Sequence, residues 1–487
     1  MEYQIKSNPL VDVLCARAGP LRGISVAKHL RFIKGGRSRS PRISDVIVRP
    51  SFHVVHAMIS PISLLATARR LLTGTAGKTL VGAAILWLFI FGICKQLLWR
   101  DPHAAFFNED GVYDLGYSLL RQAEARDFIW NAELDTKGSI QRNSTLPPVV
   151  CAGITTFNRE GQQYLNETIG SMLATLTQEE RSLLDVRLLF AHSDGTAHSD
   201  WNRAWLKTLD HWGGYNITQS ELDRIKELEQ EQNFYEKGVF DYVYVLRECL
   251  TETDAPYIAV FEDDIIFAEG WLAKMLNGLS ELRHLSDTWL YLRLFYTETS
   301  LGWEASADFW YANMLATFSL AMMAVMIMLL LATRLYRPLG RRADIPTLAV
   351  LVFVVTPAFT ALVFMIGKYN LKPLHGLARM DKHGCCTQGL VFPRFQVEGL
   401  IHSLEERGSG QTDSLIEEYA DANYFERYAL APQVLQHVGL VSSRKNTAIN
   451  TRSTWAFWFE AQDPAQLRRE HEQLARSGIW RASGNGL

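Results

Sequence analysis

Apolar and polar positions are patterned along this chain on two length scales, and each scale predicts a different kind of element. On the long scale, Phe309 to Thr333 runs 25 residues without a charge and Ile345 to Gly367 runs 23. Each is long enough to cross a bilayer as a helix. A shorter uncharged run of 16 residues, Thr79 to Cys94, sits between Lys78 and Lys95. The long lysine stems let the amines reach water from a helix of marginal length, and Trp99 follows at the level of an interface. A softer run from Ser51 to Ala68 competes with it but contains Pro61 and two histidines. On the short scale, apolar runs bounded by polar turns predict buried strands at Val149 to Thr156, Asp185 to Phe190, Tyr257 to Phe261, Trp289 to Leu294 and Gly389 to Pro393. Helix-period stretches separate them at Gln162 to Leu176, Glu221 to Gln232 and Val239 to Thr251. Alternating strand and helix predicts an α/β fold with a mostly parallel sheet and helices on both faces.

Charge orients these elements. Residues 1–78 hold 13 Lys or Arg against Glu2, Asp12 and Asp45, which predicts a basic cytosolic tail ahead of an anchor at 79–99. The loop between the two long runs, Arg334 to Asp344, carries four arginines and belongs on the same side. The remaining segments, a stem at 100–145 and a domain split into 146–308 and 368–487 around a hairpin at 309–367, then lie outside. The acceptor triplets Asn143-Ser144-Thr145, Asn166-Glu167-Thr168 and Asn216-Ile217-Thr218 all fall in that outside portion. This favours the lumen of the secretory pathway, where disulfides form. One or two bridges are open among Cys151, Cys249, Cys385 and Cys386.

Composition adds exclusions. The 487 residues are 48% hydrophobic with a net charge of −3, enough for a sizeable core. The main body has no basic stripe interleaved with aromatics, so nucleic acid is excluded as a partner. The spans lack internal charges and repeats, which disfavours a transporter.

The candidate chemistry sits at the end of one predicted strand. Glu262, Asp263 and Asp264 follow Tyr257 to Phe261 directly, and Ile265 and Ile266 return the chain to apolar company. Adjacent carboxylates losing water repel one another and call for a compensating charge. A hard divalent cation accepts their oxygens and brings phosphate oxygens with it. Ligands in open α/β sheets bind outside the carboxyl ends of the strands, where Thr155, Thr156, Asp194 and this triplet would gather. Asp413, near a predicted helix start, reads as a cap or as a general base. His437, in the stretch Leu435-Gln436-His437-Val438-Gly439, reads as a core histidine or as a further metal ligand.

Basic tail, anchor and acidic strand end together resemble Golgi glycosyltransferases of the GT-A fold. The stretch from Phe240-Asp241-Tyr242-Val243-Tyr244 to Phe261-Glu262-Asp263-Asp264-Ile265, and Leu435 to Gly439 with Ser442-Ser443, are similar to the N-acetylglucosaminyltransferase IV group. The hairpin inside the catalytic domain makes the chain resemble the GPI N-acetylgalactosamine transferase family. That resemblance implies UDP-GalNAc as donor, manganese or another divalent cation (Mn2+) as cofactor, and a mannose of the GPI glycan, on GPI-anchored proteins or glycolipid, as acceptor. It implies an inverting transfer at the Golgi membrane. Asp264, Glu262 and His437 would hold the metal. Thr155, Thr156, Arg159, Asp194, Lys237, Asp241, Glu262 and Asp263 would meet the donor. Asp413, with Glu298 behind it, would act as base. The alternatives are N-glycan branching by an N-acetylglucosaminyltransferase and an inactive GT-A domain that only binds glycolipid.

Overall fold

The computed structural model describes residues 74–134, 142, 147–159, 161–299, 309–335, 344–380, 386–439 and 454–478. All lie in one of the two units into which the chain divides, Leu65–Leu487. Most of the basic tail, the Ser51 to Ala68 run, the Asn143 triplet, Cys385, most of the arginine loop and Ser442 to Lys445 lie outside the described residues.

An eight-stranded, mostly parallel sheet forms the centre. Its strands are β1 (Val150–Thr156), β2 (Leu184–Phe190), β3 (His211–Gly213), β4 (Tyr257–Glu262), β6 (Trp289–Arg293), β7 (Gly376–Met380), β8 (Gly389–Pro393) and β9 (Glu426–Ala431). Their order is β3-β2-β1-β4-β8-β6-β9-β7. A separate ribbon pairs β5 (Ile265–Phe267) with β10 (Leu435–His437). Strand side chains alternate between faces, so Val150, Ala152 and Ile154 enter one core while Cys151 enters the other. Both faces are covered, which is why β1, β4 and β8 read as unbroken apolar runs. The helix Phe234–Glu252 lies on the second face, where Val245 leaves no room for a side chain at Gly153 and Cys249 is bonded to Cys151. On the first face, Leu165, Ile169, Met172 and Leu173 form the buried stripe of the helix Leu165–Leu173.

Within the expected stem, the described helix Tyr117–Glu133 packs on this domain. Residues 117–133 form a helix that buries Tyr117, Arg121, Ala125 and Ile129 at four-residue spacing. Arg121 donates from Nε to the Phe267 carbonyl and from Nη2 to the Ser171 carbonyl, both at 2.8 Å. Ala125 packs so closely on Gly170 that a Cβ there would lie 2.5 Å from its carbonyl oxygen. A polar-looking helix is held by buried hydrogen bonds, which a free spacer would not make.

Among the described residues, three helices are long and apolar enough to cross a membrane: Thr75–Leu97, Met314–Leu335 and Ile345–Ile366. The first extends past both flanking lysines. Its ends match those of the third. Thr75 Oγ1 donates to Asp344 Oδ2 at 3.0 Å at one end, Trp87 Nε1 donates to the Ala358 carbonyl at 3.0 Å midway, and Ala105 N, just beyond the other end, donates to the Met365 carbonyl at 2.8 Å. In the third span a π-helical turn, Leu351–Val355, immediately precedes Thr356-Pro357. Pro357 has no N–H and crowds the preceding turn, and the wider turn accommodates it. The second and third spans leave the domain after β6 and return before β7, so the hairpin is an insertion between strands of one sheet.

The C-terminal helix, Pro464–Ser477, closes the first core through a buried polar contact. His471 Nε2 lies 2.9 Å from Glu180 Oε1, and Nδ1 lies 3.7 Å from Glu269 Oε1. The approach needs Gly270, whose φ is +71° and whose Cβ would sit 2.9 Å from that of His471. Burial would lower the imidazole, but the two carboxylates outweigh it and raise His471 to about 9. A raised imidazole contributes stability that is complete below its unfolded value near 6.5 and is lost as pH climbs through about 9. After allowance for solvent at the rim, the contribution is about 2 kcal/mol. Thermal melting of wild type is expected to weaken by that amount between pH 6.5 and 9.5. His471→Gln should lack the loss, and equal slopes in the two proteins would refute the contact.

Candidate active site

The carboxyl end of β4 lies between β1, parallel to it, and β8, antiparallel to it, with Thr155 level with Glu262. Beyond that point the chain turns through Asp263 and Asp264 into β5, which pairs with β10 so that His437 faces Ile265. Val438 N donates to the Asp264 carbonyl at 2.9 Å and extends the ribbon by one bond. Pairing of two short strands thus brings a histidine 173 residues away in sequence (437 − 264) onto the acidic turn.

The three acidic side chains divide their roles. Asp263 is committed to the protein. Arg159 meets it bidentately at 2.8 and 2.7 Å, Thr156 Oγ1 donates to it at 2.6 Å and Phe157 N at 3.2 Å. Its carbonyl accepts from Thr168 Oγ1 at 2.7 Å. Such forked guanidinium–carboxylate pairs are the strong kind, and burial of Arg159 and Asp263 makes the pairing obligatory. Asp264 receives Arg159 Nη2 at 3.1 Å and His437 Nε2 at 3.5 Å on Oδ2, while its Oδ1 is buried with no hydrogen-bond partner among the described residues. Glu262 accepts from Thr387 Oγ1 at 2.7 Å.

One ligand atom from each of Glu262, Asp264 and His437 falls within 4.8 Å of the others. Burial, reinforced by Asp264, pushes the Glu262 carboxyl up to about 7. Burial would raise Asp264 too, but His437 and Arg159 outweigh it and hold that carboxyl below its ordinary value. Burial would lower His437, but Asp264 and Glu262 raise it. A divalent cation fits these residues. The donors are two carboxylates and an imidazole, which suit a divalent metal, and the orphaned Asp264 Oδ1 needs a partner. Gly439 gives the cluster its space, because a Cβ there would lie 2.2 Å from Asp264 Oδ2 and 2.9 Å from His437 Nε2.

The other expected site residues occupy distinct places. Lys237 and Asp241 form a buried i,i+4 pair on the helix Phe234–Glu252, with Nζ 3.0 Å from Oδ2. Lys237 also donates to the Ala191 carbonyl and to Tyr215 Oη, both at 2.8 Å, and lies 5.0 Å from the Phe157 ring centroid. The pair therefore fixes the ends of β1 and β2 from below. Asp194 is exposed and caps the 3-10 turn Gly195–Ala197 through Thr196 N at 3.1 Å. Asp413 lies in the first turn of the helix Thr412–Ala422, partly exposed, and accepts from Cys386 N at 3.0 Å. Cys386 precedes Thr387, so Asp413 and Glu262 meet the same short segment. Glu298 is buried and bound by Gln433 Nε2 at 2.7 Å, Phe457 N at 2.8 Å and Trp458 N at 3.1 Å. Burial pushes it up to about 7. Its contacts staple the 457–458 segment to the end of β6.

Sequence reasoning assigned no role to Thr387 or Gly439. A hydroxyl two residues before a strand gives no signal, whereas Gly439 ends the stretch Leu435-Gln436-His437-Val438-Gly439, and a glycine two residues from a candidate ligand marks close approach. The family model described as GPI-N-acetylgalactosamine transferase PGAP4 matches residues 150–436. That range includes the acidic turn and the hairpin, and it stops one residue before His437.

Asp263 and Asp264 are expected to differ on substitution. Asp263→Asn leaves a buried guanidinium half-paired and should cost about 3 kcal/mol of stability in thermal or denaturant melts. Asp264→Asn should alter stability by less than about 1 kcal/mol while lowering manganese affinity at least about tenfold by calorimetry. Equal destabilisation by both would remove the distinction between them.

Proposed function

The chain belongs to the GPI-N-acetylgalactosamine transferase PGAP4 family, and we propose that it moves N-acetylgalactosamine from UDP-GalNAc to a mannose of the GPI glycan, with inversion, at the lumenal face of the Golgi membrane. The observation that carries this reading is the Glu262–Asp264–His437 cluster at the end of the central strand. A divalent cation held by these three residues would neutralise charge developing on the departing diphosphate. The sugar's bond to UDP breaks as its anomeric carbon bonds to the acceptor oxygen, and the acceptor proton passes to a carboxylate. Asp413 is assigned that proton. Its oxygens accept from Cys386 N and Ser414 N but it is partly exposed, whereas Glu298 is buried and bound by two backbone amides and Gln433.

The remaining residues prepare the site. Arg159 holds Asp263 and one oxygen of Asp264, which keeps the turn from opening under its own charge. Thr155 stands level with Glu262 on the donor side, and Thr156 and Asp263 support it from within. Lys237 and Asp241 position the β1 and β2 ends that would receive the nucleotide. The lumenal orientation follows from the basic tail and the arginine-rich hairpin loop.

Purified full-length protein with manganese, UDP-GalNAc and a GPI glycolipid is expected to release UDP and extend the glycan, and Asp264→Ala to abolish both. Asp413→Asn should lower kcat by about 100-fold or more with little change in donor KM. Glu298→Gln should act mainly through stability. UDP release from other sugar nucleotides but not UDP-GalNAc, or full activity of Asp264→Ala, would contradict the assignment.

A further inference from the structure

A cavity of about 560 Å3 opens where the first span meets the catalytic domain. Its lining includes Phe91 and Lys95 from the span and Trp99, Phe106, Phe107 and Asn108 from the loop that follows. These walls are held in place. Phe91 and Phe106 meet edge to face at 5.1 Å, Asn108 N donates to the Trp99 carbonyl at 3.0 Å, and Phe107 packs edge-on against Phe457 at 5.5 Å. Lys95 is exposed and has no acidic partner among the described residues. Arg100 lies 4.2 Å over the Trp99 ring, and its Nη1 has no hydrogen-bond partner among the described residues.

The composition of this cavity specifies its occupant. Aromatic walls at the depth where a span ends suit acyl chain and glycerol. An uncompensated lysine at the same level suits a phosphate. A free anion has no use for the phenylalanines, and a neutral lipid has none for Lys95. The location narrows the choice further. Phe107 touches Phe457, whose N–H is bound to Glu298, and Ala456 exchanges hydrogen bonds with Gln436 at 3.0 and 2.9 Å, one residue before His437. The cavity wall and the metal cluster thus share one segment.

We propose that this cavity seats the phosphatidylinositol portion of the GPI acceptor, with its phosphate against Lys95 and an acyl chain against Phe91 and Phe106. The inference rests on the acceptor named under the proposed function. A glycolipid held there keeps its anchor in the bilayer while its sugars extend toward the carboxyl end of β4. The cavity is then a specificity element for lipid-linked over free glycans.

Photocrosslinking tests this in full-length protein reconstituted into phosphatidylcholine nanodiscs, with p-benzoylphenylalanine replacing Phe91. A radiolabelled phosphatidylinositol-linked mannose glycan is expected to be captured saturably. Unlabelled glycolipid should compete, and added phosphatidylcholine should not. Lys95→Glu should reduce capture at least about tenfold and Lys95→Arg should retain it. Capture that phosphatidylcholine displaces equally, as annular lipid would, or that Lys95→Glu leaves intact, overturns the proposal. Crosslinking reads binding and not transfer, so a protein that captures the glycolipid saturably but transfers no sugar contradicts the proposed reaction and leaves the cavity assignment standing.

Discussion

Gathering three adjacent carboxylates at the end of a buried strand is the constraint on which the rest of this structure depends. In a low-dielectric sheet edge each negative charge raises the cost of the next, and none survives without a partner. One guanidinium, Arg159, satisfies Asp263 completely and Asp264 in part. What it leaves over, Glu262 and one oxygen of Asp264, is only partly compensated by His437 and Thr387. The β5–β10 ribbon and the glycine that follows it build that shortfall into the fold. Partial compensation by protein groups is the arrangement expected of a site designed to admit a cation.

The second constraint is topological. The sheet is interrupted after β6 and resumed at β7 and β8, with two spans between. The first span lies alongside the third, tied at both ends and in the middle. The catalytic domain is therefore joined to the membrane bundle at three points of its chain, and the loop after the first span packs against segments that reach the Glu262–Asp264–His437 cluster. An enzyme acting on a lipid-linked glycan gains from such fixation, because the acceptor arrives in the plane of the bilayer.

The strands buried on both faces were legible because burial removes the polar half of the alternation: β1, β4 and β8 are continuous apolar runs. The expected spans fall on the observed helices for the same reason. The helix Tyr117–Glu133 was read as a stem because its buried stripe includes Arg121, and an arginine satisfied by two carbonyls looks in sequence like a solvated one. The β7 and β9 strands mix charge with small residues, so their periodicity carries little signal. At the site, Glu262 and Asp264 stand two residues apart, the spacing that returns a strand side chain to the same side, and the geometry joins them with His437. The inward commitment of Asp263 was not legible, since it depends on Arg159, a residue expected at the donor. The Cys151–Cys249 bridge was one of several pairings open in sequence, and only the packing of the helix Phe234–Glu252 on β1 selects it.

Calorimetric titration of the purified full-length protein with UDP, with and without manganese, probes the central claim most directly. The Glu262–Asp264–His437 centre predicts saturable UDP binding that needs manganese, and at least about tenfold weaker binding in His437→Ala under conditions where that variant stays folded. Binding of equal strength without the metal, or undiminished in that variant, would contradict it.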